Sequence, residues 1–379
     1  SFSEELIRQP LNGACAIITT SRPISVTSNQ YYEEQLFKKI FPNQTVSDFS
    51  IGVILQSIKT GNQEGEYFQL FGDPAMQLVL PKKAVTITNI TPDTLETLGE
   101  TSYNAVQNVT QTGGEGFVIL NDAEREVTRE YNYLSNTESL TYKLPGPTLF
   151  RGKFSFDNNL IKGKMRIPKD ISFSDKPASI KLYILSDDSE PVEALGWKDS
   201  LFIVSGDPTS DNFGPIINFE TVNKRILRSG DHIQEGDDIL IRLTDPLGIN
   251  LTGEIGHNIV LTDYSNDDNK IVTDDFIYDN NSITTGTIPL ELDENSTETY
   301  LSLKAWDSAN NPSESELKLY RIAEAKLKLF NVTNFPNPFA NSTQFTFELT
   351  QPADISVDIF TLGGRKIMQI ESEYFSIGF

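Results

Sequence analysis

Cys15, His232 and His257 are the only side chains in this 379-residue sequence that could supply a thiolate nucleophile or an imidazole base. Thiol catalysis needs the two groups within hydrogen-bond reach, with backbone donors held where an oxyanion develops. Cys15 sits in Ala14-Cys15-Ala16-Ile17-Ile18-Thr19-Thr20, a run of small and β-branched residues. That pattern predicts a strand buried on both faces of a parallel sheet, where a thiolate would be desolvated and a neutral cysteine packs well. His232 follows Gly230-Asp231, and His257 lies in Gly256-His257-Asn258, both far along the chain from Cys15. They read as solvated loop residues with no metal or acid–base role. A buried structural cysteine and an inactive chain are therefore expected.

Two other patterns have a chemical reading and a plainer one. Asp263, Ser265, Asp267, Asn269 and Asp274 approximate the ligand spacing of a calcium loop, but its sixth position, which needs glycine, holds Asp268. The apolar runs Ile259-Val260-Leu261 and Ile271-Val272 on either side suit strands, so a polar hairpin is predicted. Gly113-Gly114-Glu115-Gly116 lacks the lysine, the preceding strand and the following helix of a phosphate loop. The sequence thus calls for no catalytic residue, no bound cofactor and no metal site within this chain. Trp197 and Trp306 adjoin strand-like segments and are expected to be core or interdomain anchors rather than ligand platforms.

Composition excludes several function classes. A formal net charge of −22, from 53 acidic and 31 basic residues, repels phosphate backbones, so nucleic acid is not an expected partner. No apolar run reaches the ~20 residues of a transmembrane helix, so no transmembrane segment is expected. A single cysteine rules out an internal disulfide framework. Ser1 is not a natural start residue, which suggests a processed product or a piece of a longer protein.

The periodicity changes once along the chain. A short helix is predicted at Glu4–Gln9 behind Ser3, closed by Asn12-Gly13; the strand at Cys15 follows. A helix capped at Ser28-Asn29 should bury Tyr32, Leu36, Phe37 and Ile40 and stop at Pro42. A second, capped at Ser47 and closed by Gly61, should bury Ile51, Ile54, Leu55 and Ile58. Gly72-Asp73-Pro74 is then a breaker, after which the pattern is strand and turn almost to the end. Strands are predicted at Val85–Ile90, Phe117–Asp122, Leu149–Phe156, Lys164–Pro168, Ser179–Leu185, Leu201–Val204, Ile216–Phe219, Asp238–Leu243 and Leu301–Asp307. The expected architecture is multidomain α/β plus all-β: an α/β piece over 1–81, a β-sandwich over 82–214, a second over 215–325, and a partial module over 326–379.

Several segments resemble gingipain-type cysteine peptidases. Gly13-Ala14, Thr19-Thr20-Ser21-Arg22-Pro23, Leu55-Gln56-Ser57-Ile58-Lys59 and Phe68-Gln69-Leu70-Phe71-Gly72-Asp73-Pro74-Ala75 are similar, in order, to the part of the caspase-like domain after its catalytic cysteine. Asp245-Pro246-Leu247-Gly248-Ile249-Asn250-Leu251-Thr252-Gly253, Gly256-His257-Asn258-Ile259 and Lys304-Ala305-Trp306-Asp307 resemble the β module of type IX secretion system sortases more than that of other gingipains. Asn334-Phe335-Pro336-Asn337-Pro338 and Leu362-Gly363-Gly364-Arg365 resemble a C-terminal sorting-type domain with an immunoglobulin-like fold.

The resemblance implies the C-terminal portion of such a sortase, cut at both ends, with the nucleophile falling before Ser1. It further implies a surface-exported protein of the bacterial outer membrane that removes C-terminal sorting domains. Secreted cargo proteins and outer-membrane secretion components would be its partners, with this stretch supplying scaffold and docking β domains. The residues alone also fit a non-enzymatic exported adhesin or spacer built from acidic β modules.

Overall fold

A computed structural model of the chain describes residues 7–8, 14–41, 49–59, 63–78, 81, 83–110, 112–133, 136–207, 210–234, 237–293, 296–322, 327–351 and 353–375. Ser3, Asn12-Gly13, Pro42, Ser47 and Gly61 lie outside them, as does most of the predicted first helix, of which Ile7 and Arg8 are helical.

Strand β1 (Ile17–Thr20) is followed by helices α1 (Val26–Ile40) and α2 (Ile51–Ile58) and by β2 (Phe68–Phe71). Helix α1 starts ahead of the Ser28-Asn29 expectation, because Ser25 keeps extended backbone and its hydroxyl accepts the Ser28 N–H at 3.1 Å. Its buried positions are Tyr32 and Ile40, with Leu36 between them; Phe37, one step round the helix, is exposed. Helix α2 buries the four positions expected of it, from an N-cap at Ser50. Its leading N–H groups need outside acceptors, and the chain after Gly72 provides them: Ile51 donates to the Met76 carbonyl at 2.9 Å and Gly52 to that of Pro74 at 3.0 Å. Gly72 has φ of +140°, a conformation that a side chain would strain. The breaker is thus a turn clasped to α2. Strand β1 pairs antiparallel with β2, Ile17 opposite Phe71, and a small core of Tyr32, Leu55, Ile58 and Phe68 lies beneath.

From residue 83 the chain is almost entirely strand. The first part holds β3 (Lys83–Thr91), β4 (Thr94–Glu96), β5 (Glu100–Gln107), β6 (Gly114–Asn121), β7 (Arg125–Tyr133), β8 (Asn136–Leu144), β9 (Thr148–Phe156), β10 (Leu160–Arg166), β11 (Ala178–Ser186) and β12 (Glu193–Val204). The next holds β13 (Ile216–Thr221), β14 (His232–Gln234), β15 (Ile239–Thr244), β16 (Val260–Asp263), β17 (Asp268–Ile271), β18 (Ile277–Tyr278), β19 (Thr285–Leu290), β20 (Glu298–Trp306) and β21 (Pro312–Ile322). Period-two burial is clear in β11, where Ala178, Ile180, Leu182, Ile184 and Ser186 point inward, and in β15, where Ile239, Ile241 and Leu243 do.

One sheet crosses the sequence boundary at residues 214–215, in the order β10-β5-β3-β12-β11-β6-β9-β18-β19-β15-β13, with β4 beside β12. The join is the parallel contact of Tyr278 with Gly152. Because Gly152 has no Cβ, the Phe150 and Tyr278 rings can stack across it with centroids 4.6 Å apart and planes 11° off parallel. A second sheet runs β14-β21-β20-β16-β17. One continuous cluster of buried residues, from Val85 to Leu319, fills the space between strands of both regions. The hairpin β7–β8 forms a two-stranded sheet of its own.

The last region consists of two separate hairpins, β22 (Leu329–Phe335) with β23 (Gln344–Leu349) and β24 (Ala353–Phe360) with β25 (Lys366–Phe375). Among the described residues no helix is long and apolar enough to cross a membrane.

Candidate functional site

Cys15 is exposed and lies two residues before β1 rather than inside it. This corrects the expectation of a buried cysteine in a parallel strand. The strand has one antiparallel neighbour and is only half-buried along its length, and among the described residues the thiol is left exposed. Neither histidine joins it; both are built into the β region.

Those histidines are also not solvated loop residues. His257 is mostly buried, its Nδ1 bonded to Asp170 Oδ2. Its ring lies 4.5 Å from that of Trp306, tilted by 52°. Asp170 comes from the loop after β10 and acts as a hub. Asn250 Nδ2 donates to its Oδ2 at 3.0 Å, and Asn310 Nδ2 to its Oδ1 at 2.7 Å. The Lys169 N–H next to it donates to the Ser308 carbonyl at 2.8 Å. A carboxylate satisfied on both oxygens therefore ties the loop after β10 to two turns of the following region. Trp306 carries the Lys304 ammonium on its face, 5.1 Å from the ring centroid, and is partly rather than fully buried. Trp197 is 44% exposed on β12, which corrects its assignment as a core anchor.

Beside this hub lies the most unusual electrostatic feature. One carboxylate oxygen each from Asp211, Asp245 and Asp307 lies within 4.8 Å of the others, and Asp245 and Asp307 are buried. Burial pushes the Asp245 carboxyl up to about 6, helped by the charges of Asp307 and Asp211 and opposed by the Leu247 N–H, which donates to it at 2.7 Å. Burial likewise raises Asp307, although the Asn311 backbone N–H and side-chain amide both donate to it, at 2.6 and 2.8 Å. Asp245 can thus hold a proton at mildly acidic pH, and the three carboxylates together can offer oxygen ligands to a hard divalent cation. A cleft of about 560 Å³ opens alongside, lined by Asp170, Asp207, Asp211 and Lys169 with Phe173 and Leu98.

The trio was not anticipated, although Asp245 and Asp307 each follow directly on an apolar strand in the sequence, which is the one available signal. Asp170 gave none, being one of several aspartates in a polar loop. The stretch 263–274 begins with the predicted hairpin, β16–β17, in which Asp263 Oδ1 accepts the Ser265 N–H at 2.8 Å and Oδ2 the Asn266 amide at 2.8 Å. Gly114-Glu115-Gly116 opens strand β6. His232 begins β14 and stacks on Phe330, with centroids 5.0 Å apart.

Residues 1–79 match peptidase family C25. The C25 segment thus comprises the α/β piece with Cys15, and its match ends just beyond the turn that leads into the β region. No curated protein matches the chain. Among solved structures, dimeric latent PorU from Porphyromonas gingivalis aligns with 96% of this chain and 37% of its own, at 22% identity and a TM-score of 0.39. Spo0M, a sporulation control protein from Bacillus subtilis, aligns with 62% of this chain and 90% of its own, at 9% identity and a TM-score of 0.19. A 1.5-MDa bacterial ice-binding adhesin gives 79% and 98%, at 11% identity and a TM-score of 0.18. The chain therefore spans little more than a third of the PorU length. At these scores the structural likenesses are loose, and the likeness to family C25 is confined to residues 1–79.

Proposed function

We propose that this chain is the part of a type IX secretion sortase that follows its catalytic dyad. The whole protein would be a gingipain-like cysteine endopeptidase, exported to the cell surface, that removes C-terminal sorting domains from secreted cargo. Within it, residues 1–81 close the caspase-like domain. The β modules at 82–214 and 215–325 hold that domain in place and dock it on outer-membrane secretion components, and 326–379 form a partial sorting-type, immunoglobulin-like module.

The observation that carries the proposal is the C25 match over residues 1–79, joined through the Gly72-Asp73-Pro74 turn to the β region. Exposure of Cys15 does not make it the nucleophile. A thiol needs an imidazole within hydrogen-bond reach, and both histidines are committed to aromatic and carboxylate neighbours in the β region. Incubation with a sorting-domain substrate should show no cleavage by this chain, and Cys15→Ala should change nothing. Cleavage abolished by that substitution would overturn the assignment of roles. The DNA upstream of Ser1 tests the family reading separately: it should encode a strand ending in His-Gly followed by another ending in Cys.

A further inference from the structure

A pocket of about 370 Å³ lies where the loop before β14 meets the β22–β23 hairpin, and its polar groups are unevenly matched. Each of its carboxylates accepts a hydrogen bond on one oxygen. Glu348 accepts the Asn331 amide on Oε1 at 2.9 Å and faces His232 Nδ1 with Oε2 at 3.5 Å. Asp231 Oδ2 accepts the Arg228 backbone N–H at 2.9 Å. The guanidiniums are not paired with any described carboxylate. Neither Arg225 nor Arg228 has a carboxylate of a described residue within ion-pair distance, and Arg225 spends a single N–H on the His232 carbonyl, at 3.3 Å. His232 Nδ1 is buried and makes no hydrogen bond. In a chain with 53 acidic residues, two arginines that line one cavity without a carboxylate partner among the described residues run against the overall charge.

We propose that this pocket binds a small phosphate-bearing ligand with an apolar body. A carboxylate presents one pair of oxygens and so matches one guanidinium fork at a time, whereas the three terminal oxygens of a phosphate present several pairs and can meet two forks together. Ile226, Phe330 and Leu349 add apolar lining to the same cavity, so the group carrying the phosphate gains by being hydrophobic. Free phosphate and a phosphomonoester share the recognised group; the apolar lining favours the ester.

The test is calorimetric titration of the full chain at low salt with phenyl phosphate, inorganic phosphate and phenol. Phenyl phosphate should bind one to one and more tightly than inorganic phosphate, and phenol should not bind. Arg225→Gln and Arg228→Gln should each weaken phenyl phosphate by about tenfold, the loss expected for a charge-assisted hydrogen bond. Phe330→Ala should weaken phenyl phosphate and leave inorganic phosphate unchanged. Arg365→Gln, which alters net charge equally but lies in the turn before β25, should have no effect. The proposal is overturned if phenyl phosphate gives no heat, if phenol binds equally well, or if Arg365→Gln weakens binding as much as the pocket variants do. Folded far-ultraviolet spectra of each variant separate lost binding from lost structure.

Discussion

The β region at 83–322 and the hairpins at 327–375 are written in the same alternating script, yet they fold to different depths. In β24 every second residue is apolar, Ile355, Val357 and Ile359, but none is fully buried. In β11 the same alternation gives complete burial. The difference is the second layer. Strand β11 has neighbours on both sides and a core behind it, whereas β24 pairs only with β25, whose described side chains are exposed except for Phe375. Period two decides which face of a strand is apolar, and only another layer makes that face a core.

The largest test of this contrast is at the seam within the β region. Tyr278 is fully buried, stacks on Phe150, and exchanges hydrogen bonds with the Ile249 backbone through its hydroxyl. Tyr278→Ala should cost about 3–5 kcal/mol in urea unfolding, as for other buried aromatics. If the two halves of the region unfolded independently, only one of two transitions would move; a single shifted transition supports one cooperative unit.

Next in size is the Asp170 hub. Asp170→Ala leaves His257, Asn250 and Asn310 without their shared acceptor and should cost roughly 2–3 kcal/mol. A cost below ~0.5 kcal/mol would show that water replaces the carboxylate and that the hub adds little to the joint.

A smaller, pH-dependent effect belongs to Asp245. Its carboxyl is raised to about 6 against an ordinary 3.8, so the folded state holds the proton more tightly than the unfolded state. The resulting stabilisation is complete below the unfolded value and is lost as pH rises through the folded one. The parent chain should therefore lose stability between about pH 4 and 6 relative to Asp245→Asn, which cannot ionise. Equal slopes for the two proteins over that window would remove Asp245 as the cause.

Much of the β region was legible because its inward residues are branched or aromatic and recur at every second position. Strand β5 was not, since its inward set is Thr101, Tyr103, Ala105 and Gln107, which hides the alternation. Gln107 is buried because its amide is satisfied by the Thr110 and Asn158 carbonyls and by the Val109 and Thr110 N–H groups, a local arrangement that no periodicity announces. The continuous sheet was hidden for a related reason: a two-residue strand such as β18 has no period to read. The acidic trio draws its members from three separate turns, so only the fold brings them together.

The smallest expected effect is the sharpest statement of the contrast. Met368 lies in β25 and is 55% exposed, with its neighbours Ile367 and Gln369 also exposed. Methionine to glutamine there removes apolar surface that is already in water, so the urea unfolding free energy of the β region should change by less than about 0.5 kcal/mol. Brief proteolysis should cut first within 327–375 in both the parent and Met368→Gln, because short hairpins with solvent-facing backbone open at low cost. A loss of several kcal/mol on Met368→Gln, or first cuts between 83 and 322, would mean that β25 has a covering layer in solution. The two regions would then differ in their partners and not in their depth of folding.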